Sequence, residues 1–158
     1  MRFRRFVPLL LLLAASLPVL AQTSGSDTAT IDKYISAQAT REHGEEYPEA
    51  RKVVEGDLDR DGTNDLAVLY TIEGQNGSNN YVQYLAAFLR KQGKLVAVAR
   101  ASVAGKFYRD AELESITNGR IILSTVSKGK NDPACCPTKK GSTRYILSAG
   151  KLRQINPS

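Results

Sequence analysis

"YVQYLAAFLRKQGKLVAVARASV", residues 81–103, holds two apolar runs around the short polar break Lys91-Gln92-Gly93. Runs of this length, rich in Val, Tyr, Phe and Ala and separated by a Gly-containing break, read as a β-hairpin. In the first run Tyr84, Leu85, Phe88 and Leu89 fall on both faces of the strand. A strand apolar on both faces has to be covered on both, so this one belongs in the middle of a sheet.

The same grammar continues toward the C-terminus. "AELESI" and "RIILSTV" are joined by Thr117-Asn118-Gly119, where Asn-Gly suits a primed turn. "STRYILS" and "KLRQI" close around Ala149-Gly150. Toward the N-terminus "LAVLYTI" and "ARKVV" add two more strands, and "GQNGSNN" is a turn cluster. These eight short strands predict an α+β fold, mainly an antiparallel β-sheet or partial barrel with one N-terminal helix. The helix is expected in "TATIDKYISAQATREHG", where Ile31, Tyr34, Ile35 and Ala39 recur at helical spacing. Thr28 or Thr30 would cap it, Gly44 would end it, and it is the natural cover for one sheet face. Residues 31–158 thus read as a single mainly-β domain, preceded by a small, polar, flexible leader at 22–30.

Residues 1–21 read as an export signal. Arg2, Arg4 and Arg5 precede an apolar stretch that ends at Val19-Leu20-Ala21, a small-residue cleavage site. The stretch is short for a span, which takes ~20 apolar residues, and none is expected after cleavage. An uncleaved anchor is the alternative. No cysteine follows the cleavage site to take a lipid, so the expected location is periplasmic or secreted. Without residues 1–21 the net charge falls from +6 to +3. It is unevenly spread: residues 22–80 carry −7 and residues 81–158 carry +10. Such a split can mark a basic binding face, or complementary halves of one molecule. An exported chain is not expected to bind nucleic acid.

"EGDLDRDGTNDLAVLY", residues 55–70, places Asp57, Asp59 and Asp61 at positions 1, 3 and 5 of a loop. Gly62 follows at position 6, where a calcium loop turns sharply. Thr63 at position 7 would offer its carbonyl, and Asp65 at position 9 would reach the ion directly or through water. A hard cation such as Ca²⁺ takes ~6–8 oxygens, and alternate residues of a tight loop can supply several. An EF-hand would have glutamate at position 12 and helices on both sides. Here position 12 is Val68 and the flanks are strand-like, so the site reads as strand–loop–strand. Residues 55–70 resemble the "GDLDGDGxxD" loops of secreted FG-GAP/VCBS-type proteins. That resemblance raises a propeller fragment as an alternative fold, but the chain shows no second acidic loop and no fixed period. An acidic turn without an ion is the other reading of the loop.

Cys135 and Cys136 are the only cysteines and are adjacent, in "SKGKNDPACCPTKKGS". A bridge between neighbours would be strained, since ordinary disulfides want Cα atoms ~4.4–6.8 Å apart. Three readings stand: a structural vicinal disulfide, two buried free thiols, or a redox or metal role. "NDPACCPTKKGSTRYILSAGKL" resembles the "DPACCPS" segment of the LppP/LprE family of exported lipoproteins. The resemblance implies a small, non-enzymatic exported domain. The lipobox cysteine of that family is missing here, so membrane anchoring does not carry over.

Catalysis finds little support. The single histidine, His43, sits among Glu42, Glu45 and Glu46 and reads as solvated, and no glycine-rich phosphate loop is present. The leading expectation is an exported calcium-binding domain whose ion is structural. The second is an envelope interaction or inhibitor module, with Lys128, Lys130, Lys139 and Lys140 contacting an anionic glycan or protein. The third is thiol redox chemistry at Cys135-Cys136.

Overall fold

The computed structural model describes residues 24–133 and 135–155. The expected export signal lies outside these residues. The described chain is one helix, α1 (Gly25–Arg41), followed by nine strands in a single antiparallel sheet. In chain order the strands are β1 (Glu45–Glu46), β2 (Lys52–Gly56), β3 (Asp65–Glu73), β4 (Tyr81–Lys91), β5 (Lys94–Gly105), β6 (Arg109–Thr117), β7 (Arg120–Ser127), β8 (Lys139–Ser148) and β9 (Lys151–Ile155). The order across the sheet is β1-β3-β4-β5-β6-β7-β8-β9, with β2 also paired to β3.

The α+β expectation holds, and β4 lies inside the sheet between β3 and β5. Its alternate residues serve two cores. Tyr84, Ala86 and Phe88 face α1, where Ile31 and Ile35 pack with Val68, Tyr70 and Ile72 of β3. Leu85, Ala87 and Leu89 face the other way and pack with Ala67, Leu69, Leu113, Ile121, Leu123 and Tyr145. Each fully buried Leu or Phe contributes roughly 1.5–3 kcal/mol. The second core exists because the sheet folds back on itself. β5 and β6 share only the pair Gly105↔Arg109, so β6–β9 swing across the face opposite the helix.

Three hairpins turn on two residues: Gln92-Gly93, Asn118-Gly119 and Ala149-Gly150. Both residues of each pair have positive φ, which matches the strand twist. β1 was not expected; its two glutamates pair with Ile72 and Glu73. The helix also starts earlier than expected. Residues 25–30, read as flexible leader, form its first turns, because Ser24 caps it by accepting from the Asp27 N–H at 3.3 Å. At its far end Gly44 passes so close to β3 that a Cβ would lie 2.5 Å from the Glu73 carbonyl oxygen. No helix among the described residues is long and apolar enough to cross a membrane.

Candidate metal centre

The acidic loop joins β2 to β3 and is fixed at several points. Leu58 turns inward and is buried in the core between the two halves of the sheet. Arg60 reaches across to the β6–β7 turn and donates to the Asn118 carbonyl at 2.9 Å. Both oxygens of Asp57 accept backbone N–H groups, from Asp61 at 3.1 Å and from Gly62 at 2.9 Å. Asp61 in turn accepts from the Thr63 N–H at 2.7 Å. Gly62 has φ +85 with nothing crowding it, so glycine is there for its backbone and not for space.

This path brings Asp57, Asp59 and Asp61 together. One carboxylate oxygen from each lies within 4.8 Å of the others, a cluster that could hold a metal ion. An ionised carboxylate has about four acceptor sites, so the loop's own hydrogen bonds leave capacity on Asp57 and Asp61. The donor set is hard oxygen throughout, the chemistry of Ca²⁺ or Mg²⁺ and not of a soft metal.

Asp65, expected as the position-9 ligand, is outside this cluster. It is 1% exposed and points into the protein. One oxygen accepts from the Leu58 N–H at 2.9 Å and the other from the Arg90 N–H at 2.8 Å. Burial, the largest influence, pushes its pKa up; the two backbone donors pull it down, and the charges of Asp59 and Asp61 push it up further. Asp65 therefore braces the loop from behind, tying its second residue to the end of β4. The Arg90 side chain extends the brace. It donates to the Asn64 carbonyl and makes two hydrogen bonds to Asp27 in α1, at 3.2 and 2.8 Å. Sequence reasoning missed Arg90 and Asp27. For Asp27 the available signal was Ser24-x-x-Asp27, a capping-box spacing just before the helical pattern; Arg90 had none.

The other expected site residues lie elsewhere. Cys135 and Cys136 are free thiols and both are exposed, which corrects the buried-thiol reading and leaves them unbridged here. Their loop is organised by Asp132, which accepts from the Gly129 and Thr138 N–H groups at 2.7 Å each. Those donors hold the Asp132 carboxyl below its ordinary range. Lys128, Lys130, Lys139 and Lys140 are all exposed on or beside this loop. His43 is exposed, as expected of a solvated histidine. Comparison with family models, curated proteins and solved structures finds no match to this chain.

Proposed function

We propose that this protein is an exported calcium-binding domain in which the ion is structural. Asp57, Asp59 and Asp61 would supply the carboxylate oxygens and Thr63 its backbone carbonyl, with water completing the shell. The observation that carries this reading is the convergence of three carboxylates on a loop braced by Leu58, Arg60 and Asp65. Three like charges held so close repel one another, and a bound cation removes that cost. The resemblance of residues 55–70 to FG-GAP/VCBS-type loops supports calcium over magnesium. Export rests on the signal pattern at residues 1–21, and kinship with the LppP/LprE family on the Asp-Pro-Ala-Cys-Cys-Pro run.

The test is a thermal melt of the purified protein in EDTA, in millimolar calcium and in millimolar magnesium. A ligand at a hundred times its Kd stabilises the native state by about 2.7 kcal/mol. For a chain of this size that is a rise of roughly 10 °C. The rise should be specific to calcium and should vanish in Asp59→Ala and Asp61→Ala. No shift, or a shift that survives those substitutions, removes the loop as the site.

A further inference from the structure

The connection from β5 to β6 reads Gly105-Lys106-Phe107-Tyr108-Arg109 and carries the most exposed large apolar side chains among the described residues. Phe107 is 80% exposed and Tyr108 is 61% exposed. Phe107 also has φ +66, a left-handed conformation that brings an L-residue's Cβ too close to the backbone carbonyl oxygen. Glycine or asparagine would serve the turn better, so folding does not explain a phenylalanine here. The turn is also held firmly. The Lys106 N–H and Nζ donate to the carbonyls of Tyr81 and Asn79, and Tyr108 N–H closes onto the Gly105 carbonyl. Gly105 passes so close to β4 that a Cβ would sit 2.8 Å from the Tyr81 carbonyl oxygen.

This tip faces Lys128, Cys135 and Pro137 across a groove of about 330 Å³. The size is at the lower end of the ~300–1,000 Å³ usual for small-ligand sites. Tyr81, Phe107 and Tyr108 give it aromatic walls, and Lys106, Arg109 and Lys128 give it cations. Two cations already lie against the rings: Lys106 Nζ is 5.3 Å from the Phe107 centroid and Arg109 Cζ is 4.8 Å from that of Tyr108. None of the ion pairs among the described residues uses these three cations, and Arg109 is steadied by neutral acceptors, its Nε donating to the Val103 carbonyl at 2.7 Å and its Nη2 to the Tyr145 hydroxyl at 3.3 Å. The one acid in the lining, Asp110, accepts the Tyr81 hydroxyl at 2.6 Å.

We propose that this groove binds an acidic saccharide segment, whose sugar rings lie on Tyr81, Phe107 and Tyr108 and whose sulfate or carboxylate groups meet Lys106, Arg109 and Lys128. Aromatic rings flanked by cations match a ligand whose sugar rings offer apolar C–H faces and carry negative charge at their edges. A concave site lined from two separate loops suits a chain entering it better than a planar bilayer. The site is distinct from the acidic loop and does not depend on an ion there.

The test is titration of the whole protein with a heparin-derived tetrasaccharide, in EDTA and again in calcium. Binding should occur in both and weaken with salt. Phe107→Gly should lower affinity by about tenfold, the effect of losing ~1.4 kcal/mol of contact. The same variant should melt no lower than the parent, because glycine relieves the positive φ. Lys128→Glu should weaken binding and flatten its salt dependence. Unchanged binding in Phe107→Gly, no binding by the parent, or equal binding of an uncharged glucose tetrasaccharide would each overturn the proposal. Binding to mixed phosphatidylcholine–phosphatidylglycerol vesicles without binding to the saccharide would overturn it in favour of a membrane surface.

Discussion

Replacing Asp65 by asparagine keeps one acceptor oxygen and turns an amide NH₂ toward a backbone N–H that has lost its partner. Either Leu58 N–H or Arg90 N–H is then orphaned in the interior, at a cost of about 1–3 kcal/mol. Asp65→Asn should therefore lower the urea midpoint in EDTA and in calcium alike. Asp59→Asn, on the exposed side of the loop, should leave the EDTA midpoint within about 0.5 kcal/mol of the parent and act only when calcium is present. Equal effects of the two substitutions in EDTA would remove the distinction between brace and ligand. This distinction was not legible in the sequence. Position 9 of a calcium loop and the first residue of a central strand are the same residue here, and only the pairing of β3 with β4 shows where its carboxylate goes. Asp57, Asp59 and Asp61 were legible, because loop spacing alone brings them together.

Among the elements, α1 depends on one long-range ion pair. Asp27 is buried and lies 63 residues from Arg90 in the chain. The Arg90 hydrogen bonds, the largest influence, hold the Asp27 carboxyl below its ordinary value; burial opposes them. A folded pKa below the unfolded one means stability that is present above the unfolded value, near pH 4. It is lost as pH falls through the lower folded value. Asp65, with its pKa raised, contributes with the opposite sign, so the whole-protein acid profile mixes the two. Asp27→Asn isolates the first. It should cost roughly 1.5–3 kcal/mol at pH 7, and the gap to the parent should close as pH falls through the lowered folded value. A gap unchanged at low pH would mean that the loss comes from packing and not from charge. The strands were far easier to read than this helix start. Gln92-Gly93, Asn118-Gly119 and Ala149-Gly150 each announce a turn chemically, and the runs between them have strand composition. Nothing local to Gly25–Thr30 reveals an arginine arriving from β4, and the two-residue β1 exists only through its partner β3.

At the scale of the molecule, the charge split becomes partly internal. Arg90–Asp27 and Arg100–Glu42 each join the basic second part of the chain to the acidic first part, so some of the asymmetry is spent within the fold. The fold itself is a sheet closed over a shared core with a joint of one residue pair between β5 and β6. Something must set how near the halves come, and Gly56 is one such point. A Cβ on Gly56 would lie 2.7 Å from Ile116 Cβ and 2.9 Å from its Cγ2, on the opposing strand β6. Neither is the end of a flexible side chain, so one half of the sheet must move to admit it. Gly56→Val should destabilise by about 1–3 kcal/mol, the usual cost of overpacking. Gly56 also precedes Asp57, so displacing β2 shifts the acidic loop with it, and apparent calcium affinity should fall in the same variant. Ile116→Ala removes Cγ2 but keeps Cβ, so combining it with Gly56→Val should give less than the sum of the two separate losses. Strictly additive losses in urea would mean that Gly56 and Ile116 do not set the closure, and that the two halves are held apart by their shared core alone.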